Sequence, residues 1–242
     1  MFNNPFTPES KKAKKSLFNK KIEKNFYASK VLEEKIADPL VEYGPFKLAM
    51  SQVKFLNDLV RMFLKHAKSR GINSDPEKLK KDLITVLESQ PKVTQLGQLL
   101  EKYSRRKNRN IDENGYITRL DFKHWTLEEL PESIVNLKNL GELYISRAGL
   151  RIFPEQLTQL KNLWDLDISD NYFIPDIPEN IGEMTSLVNL KIDGTAIQTL
   201  PESFLQLKKL LNLKLNYNFK ERGEKQVRQL KAALPKVKIS FS

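Results

Sequence analysis

Three aspartates in one short stretch are the residues whose types and spacing come closest to a recognisable chemistry. Asp165, Asp167 and Asp170 supply carboxylate oxygens at the close spacing that calcium-binding loops use. The stretch lacks the glycine turn and the distal glutamate of such a loop, and it falls on a predicted strand. We therefore interpret the three residues as part of a sheet surface and predict no metal and no cofactor.

The rest of the chain gives no indication of catalysis. Its 242 residues include no cysteine, which excludes disulfides, thiolate metal sites and cysteine nucleophiles. The two histidines, His66 and His124, are isolated from one another in sequence and are interpreted as structural. Phosphate-binding, nucleophile-elbow and zinc-protease motifs do not occur. The sequence predicts a non-enzymatic protein without a small-molecule substrate.

The elements that would position these side chains recur at a fixed period. Prolines that follow an apolar residue stand at 131, 154, 178 and 201, with spacings of 23, 24 and 23 residues. A period in the low twenties indicates a solenoid, in which each repeat buries its apolar face against its neighbours.

Five segments of the repeats predict strands. They begin at residues 117, 140, 163, 187 and 210, and in each the first, fourth and sixth residues are apolar. Alternating apolar residues indicate short strands that stack into a parallel sheet. The proline steps, each followed by a glutamate, then begin a short convex helix or 3₁₀ turn.

These segments resemble leucine-rich repeats, whose conserved part reads LxxLxLxxNxL. The variable part, LPxxIxxLxxL, is similar to that of Ras-suppressor-type proteins and is seen at 130–140 (LPESIVNLKNL) and 200–210 (LPESFLQLKKL). The resemblance covers residues 117–220. The predicted fold class is α/β: a leucine-rich repeat solenoid of five parallel strands and short convex helices, preceded by a small all-α helical domain.

The ninth position of the repeats normally carries an asparagine that bonds to the backbone of the turn. Aligning the repeats places Trp125, Ala148, Asn171, Thr195 and Asn218 there. The asparagine ladder is therefore predicted to be incomplete, and Trp125 is predicted to pack against the helices that precede the first repeat.

The concave face of the sheet is where the sequence predicts function. Outward positions of the strands carry carboxylates near the centre and aromatic side chains around them, which is typical of a protein-binding surface. The predicted partner-binding residues are Asp121, Glu142, Tyr144, Trp164, Asp165, Asp167, Asp170, Lys191, Asp193, Lys214 and Tyr217.

Charge separates the chain into two halves. Residues 1–110 hold 24 Lys and Arg against 12 Asp and Glu, whereas residues 111–242 hold 17 and 18. Such asymmetry suggests a basic module that meets an anionic partner. Its candidate contacts form two clusters, namely Lys11, Lys12, Lys14, Lys15, Lys20 and Lys21, and then Arg105, Arg106, Lys107 and Arg109.

We predict four parts: a flexible basic tail at 1–16, a basic helical domain at 17–110, the repeats at 111–220 and a cap at 221–242. The cap is predicted as a helix over 221–234 and an edge strand over 237–241. Apolar periodicity and breakers place helices in the basic domain. Their ranges are 17–37, 46–70, 76–90 and 93–107.

These observations favour an adaptor or scaffold. Its repeats would bind a basic or helical protein segment, and its helical module would bind a second partner. The alternatives are a structural subunit of a larger assembly and a nucleic-acid-associated factor that binds through the basic half; an anionic membrane is a less favoured partner. Neither a signal peptide nor an apolar run of membrane-spanning length is present, so a soluble cytoplasmic protein is expected.

Overall fold

A computed structural model describes residues 40–71, 74–88, 110–221 and 223–242. The predicted tail, the helices predicted at 17–37 and 93–107, and both basic clusters lie outside the described residues. No helix in the described ranges has the length and apolar character needed to cross a membrane.

The described chain begins with a β-hairpin and two helices. Strands β1 (Leu40–Tyr43) and β2 (Phe46–Ala49) pair antiparallel, and the turn between them contains Gly44 at φ +59°. Helix α1 (Met50–Ser69) follows directly, and α2 (Pro76–Glu88) comes after a short connection. The predicted helix over 46–70 therefore starts four residues late. Its first residues pair with β1 because the Gly44-Pro45 step reverses the chain.

The repeats form a parallel sheet in chain order. Its strands are β3 (Arg119–Asp121), β4 (Glu142–Tyr144), β5 (Asp165–Asp167), β6 (Asn189–Lys191) and β7 (Asn212–Leu215). Neighbouring strands pair in the register that the sequence repeat predicts, with Leu120, Leu143, Leu166, Leu190 and Leu213 in one inward row. All five of these leucines are buried.

Each proline step leads into a 3₁₀ helix on the convex side. These helices, η1 to η4, span Glu132–Asn136, Glu155–Gln159, Glu179–Glu183 and Glu202–Gln206. The prolines stand immediately before them in extended conformation, and a glutamate begins every one. The prediction of short convex helices is confirmed.

The C-terminal end of the sheet is extended by one more strand. After the short helix α3 (Asn218–Glu221), helix α4 (Glu224–Ala233) leads to β8 (Lys238–Phe241), which pairs parallel with β7. The cap helix is shorter than the predicted 221–234, because Gly223 separates α3 from α4. The predicted edge strand is present and makes the sheet six-stranded.

Helix α1 covers the first repeat and shares its core. Gln52, fully buried, donates to the Asn136 carbonyl at 2.9 Å and accepts from the Ile117 amide at 3.1 Å. The Trp125 ring lies 5.5 Å from Phe63 and 5.2 Å from Phe122. Trp125 thus packs against the preceding helix, as predicted, and α1 shields the end of the solenoid that would otherwise expose apolar side chains.

Candidate functional site

The outward side chains of β3 to β7 form rows across the sheet. Because the strands are paired in register, residues at equivalent positions stand about 4.8 Å apart on neighbouring strands. One row contains Arg119, Glu142, Asp165, Asn189 and Asn212, and the next contains Asp121, Tyr144, Asp167, Lys191 and Lys214. The structure therefore brings most of the predicted partner-binding residues onto one surface, which we call the sheet face.

The first strands of the sheet face are joined by Arg119. Its guanidinium donates to Glu142 Oε2 at 3.2 Å and to Asp121 Oδ2 at 3.0 Å. The same group lies 4.8 Å from the centre of the Tyr144 ring, and the Lys123 ammonium lies 4.6 Å from it. Arg119 is almost wholly buried. It holds both carboxylates and the tyrosine ring in fixed positions.

Tyr144 links this group to the centre of the face. Its hydroxyl lies 3.0 Å from Glu142 Oε2 and 3.0 Å from Asp165 Oδ2, so its single proton serves two carboxylates. Burial, and then the negative charges of Asp165 and Glu142, raise the pKa of Tyr144 far above its ordinary value. The phenol therefore remains a hydrogen-bond donor at neutral pH.

Asp165 connects Tyr144 to the later strands. Asn189 donates to its Oδ2 at 3.2 Å, and Asn212 donates to the Asn189 side-chain oxygen at 2.7 Å. Burial raises the pKa of Asp165 above its ordinary value despite these donors. A continuous hydrogen-bonded ladder thus runs from β3 to β7.

The other aspartates of the face are paired with cations of the chain. Lys191 lies 3.3 Å from Asp167, Lys214 lies 2.9 Å from Asp193, and Arg147 lies 2.9 Å from Asp170. Hydroxyl groups also donate to the two buried carboxylates: Ser169 bonds Asp167 at 2.6 Å and Ser242 bonds Asp193 at 2.8 Å.

The centre expected to be acidic is therefore largely charge-compensated. The register explains the difference, because it sets lysines and an arginine beside the aspartates of the neighbouring strand. The calcium-like aspartates Asp165, Asp167 and Asp170 each have protein partners. Within the described ranges, no group of three or more histidine, aspartate or glutamate side chains is arranged to hold a metal.

The aromatic side chains of the prediction do not form one rim. Trp164 is 38% exposed and lies just before β5. Its indole packs so closely against Gly141 that a Cβ added to that glycine would lie 2.6 Å from the indole nitrogen. Tyr217, 50% exposed, follows β7 at the other end of the strands, roughly 20 Å away along the strand direction. Tyr144 is half-buried between its carboxylates.

Sequence reasoning missed a more exposed apolar group at the carboxyl ends of the strands. Ile152, Tyr172 and Phe173 lie on the loops after β4 and β5 and are each more than 60% exposed. Aligning the repeats puts Phe173 at the buried eleventh position, but Ile174 fills that position and Phe173 points outward. The sequence feature that could have indicated this shift is the extra residue in this repeat, which is 24 rather than 23 residues long.

The asparagine ladder also differs from the alignment. Asn171 bonds to the turn as expected: its Oδ1 accepts from the Ala148 and Leu150 amides, each at 3.0 Å. In the last repeat this role belongs to Asn216, which accepts from the Gly194 amide and donates to the Thr195 carbonyl. Asn218 instead begins α3.

The two histidines lie on different elements of the chain. His66 lies near the end of α1, with its Nε2 3.5 Å from a Glu129 carboxylate oxygen. His124 is exposed on the turn after β3, in the left-handed conformation at φ +65°.

Comparisons with known proteins find likeness only among solved structures. No family model and no curated protein matches the chain. A leucine-rich repeat protein of Leptospira interrogans is 34% identical over 46% of this chain and 28% of its own, with a TM-score of 0.42. A second match is the leucine-rich repeat ectodomain of an Arabidopsis thaliana membrane receptor kinase, solved in complex with Casparian strip integrity factor 2. It is 17% identical over 52% of this chain and 18% of its own, with a TM-score of 0.35.

An internalin from Listeria monocytogenes is 15% identical over 60% of this chain and 52% of its own length, with a TM-score of 0.27. The chain thus spans about half or less of each of these proteins. Two of the three are described as leucine-rich repeat proteins, and the repeats of this chain are shown by its own residues and sheet.

Proposed function

Residues 117–220 are leucine-rich repeats, and we propose that the protein is a non-enzymatic adaptor or scaffold that binds a protein segment on its sheet face. The observation that carries this proposal is the ladder from Arg119 to Asn212. It spans five strands, of which the first, β3, is contacted by helix α2. Its side chains are held by one another, so a partner would not have to order them on binding.

The charge balance of the sheet face defines the partner. With its aspartates paired, the face offers fixed donors and acceptors together with the exposed indole of Trp164. Five strands give an arc of roughly 20 Å, which fits one helix or a short extended peptide. We propose that this segment binds by hydrogen bonds and by apolar contact with Trp164, rather than by pairing its basic residues with a free acidic centre.

The absence of catalysis is part of the same proposal. The titratable groups with perturbed pKa values on the sheet face, Tyr144 and Asp165, are hydrogen-bonded neighbours in the ladder, and burial is the main cause of both shifts. Their perturbation therefore has a structural cause. A second partner for the basic half stays a prediction, because the basic clusters lie outside the described residues. A cytoplasmic location also stays a prediction.

Affinity capture from native lysate tests the adaptor. The variant combines Trp164→Ala with Asn212→Arg, which removes the indole and adds bulk and charge at an exposed position of the same face. Met50→Ala is the matched control, because Met50 is similarly exposed but lies at the start of α1. We expect at least one protein to be captured by wild type and by the control, and to be lost at least tenfold with the variant.

Two other results would change the conclusion. Proteins retained equally by all three forms would reject the sheet face as the binding surface and favour a subunit whose other surfaces are buried in an assembly. Capture abolished by nuclease would favour the nucleic-acid-associated alternative, for which the surplus of twelve positive charges in residues 1–110 is the supporting observation.

A further inference from the structure

A second exposed surface lies at the carboxyl ends of the strands in the second and third repeats. Its apolar members are Ile152, Tyr172 and Phe173, which are 69%, 63% and 65% exposed. Arg147 and Arg151 come from the same loops. We call these five residues the aromatic rim. Soluble proteins seldom expose a contiguous group of large apolar side chains without a binding role.

The loops that carry the aromatic rim are fixed to the core. Asn171, directly before Tyr172, is buried and accepts hydrogen bonds from the Ala148 and Leu150 amides of the preceding loop. Ile174, directly after Phe173, is fully buried, and its carbonyl accepts from the Ala196 amide. Tyr172 and Phe173 are therefore anchored on both sides.

Both arginines contact residues of the next repeat. The Arg151 guanidinium lies 5.6 Å from the centre of the Phe173 ring. Arg147 bonds Asp170 at 2.9 Å. No described carboxylate lies within ion-pair distance of Arg151, so its planar donors remain for a ligand. Arginine beside exposed aromatic side chains is the composition found where binding energy concentrates in protein interfaces.

We propose that the aromatic rim is a docking site for a protein segment that combines apolar side chains with aspartate or glutamate. Apolar side chains of the partner would cover Ile152, Tyr172 and Phe173, and a carboxylate would meet Arg151, which favours paired hydrogen bonds with that group. A basic segment is disfavoured, because its cations would approach Arg151. The rim adjoins the sheet face at the Arg147–Asp170 pair, but its apolar side chains and Arg151 lie outside the ladder, so the proposal goes beyond the adaptor function.

Selection from a phage-displayed library of random twelve-residue peptides tests the proposal. The intact protein is the target, and the Ile152→Ser/Phe173→Ser variant removes peptides that bind elsewhere. We expect the retained peptides to carry at least two large apolar residues and a net negative charge. Their synthetic versions should bind the Phe173→Ser form at least tenfold more weakly than wild type.

A charge variant and a control sharpen the result. Arg151→Glu, at an exposed position, should weaken the acidic peptides at least tenfold, and a repeat of the selection on this variant should return basic peptides instead. Trp164→Ala should change their affinity less than twofold, since it lies at the other end of the strands. That control shows whether the peptides bind at the aromatic rim or on the sheet face, so the proposal for the rim can be rejected independently of the proposal for the sheet face.

Failure to recover peptides that distinguish wild type from the double variant would overturn the proposal. Enrichment of basic peptides on wild type would overturn the predicted chemistry of the partner. Circular dichroism of both variants should match wild type because the changed side chains are exposed. If the double variant loses its fold, the Arg151→Glu comparison decides the question alone.

Discussion

Removal of the Asn171 side chain should strongly destabilise the repeats. Its Oδ1 accepts from the Ala148 and Leu150 amides at 3.0 Å each, and its Nδ2 donates to the Ile145 and Ile168 carbonyls at 2.9 Å each. The side chain is 1% exposed, so water does not readily replace it. Asn171→Ala leaves two backbone amides buried without an acceptor.

The cost follows from these two amides. A buried donor that loses its partner costs about 1–3 kcal/mol, so the loss of the acceptor for two amides should lower the free energy of unfolding by about 2–6 kcal/mol. That is a large fraction of the roughly 5–15 kcal/mol by which proteins are stable. With a urea slope of about 1–3 kcal/mol per molar, the midpoint should fall by at least about 0.7 M.

Urea unfolding followed by circular dichroism measures this change. Asn162→Ala is the matched control, because Asn162 belongs to the same repeat but is exposed and makes a single bond, to the Lys138 carbonyl at 2.7 Å. We expect the control to lose less than about 1 kcal/mol. Equal midpoints for the two variants would refute the assignment of Asn171 as the residue that satisfies the turn.

Two further predictions concern stability. Gly194→Ala should lower the free energy of unfolding by about 1–3 kcal/mol more than Gly71→Ala in the same assay. Both glycines have positive φ, but a Cβ at 194 would lie 2.4 Å from Asp170 Oδ1 and 2.9 Å from its Cα, whereas none of the described atoms comes within 4 Å of a Cβ at 71. Equal losses would contradict the close approach of the two turns. Asp165→Asn should stabilise the protein at pH 7 and not at pH 3. Burial raises the pKa of Asp165 in the folded state. The stability that protonated Asp165 provides is therefore fully present below the unfolded pKa and is lost as the pH rises through the folded pKa, so a neutral asparagine has the advantage only at the higher pH. A gain at pH 3 as large as at pH 7 would show that burial of the charge is not the cause.

The repeat pattern was sufficient to predict the scaffold. A side chain that recurs every 23 or 24 residues must occupy an equivalent place in each turn, so the row from Leu120 to Leu213 could be read directly from the spacing. The same logic placed the convex helices after the prolines. It failed locally where the period changed, and there Ile174 rather than Phe173 entered the core.

The N-terminal half was less predictable because it lacks repetition. Apolar spacing continued from Phe46 into α1, and the periodicity alone did not distinguish four residues of strand from one more helical turn. Gln52 could not be identified either, since its partner Asn136 is 84 residues away. A buried polar residue is recognised only when the group that satisfies it is known.

The sequence by itself determined the period, the inward rows and the order of the strands, because these depend on spacing along the chain. It also put Asp167 and Lys191 in the same row on neighbouring strands. Only the tertiary structure decided that the lysine closes on the aspartate, that Tyr144 shares its proton between two carboxylates, and that Arg151 covers Phe173. Long polar side chains have several rotamers of similar energy, and the choice among them is made by the neighbours that folding brings within reach.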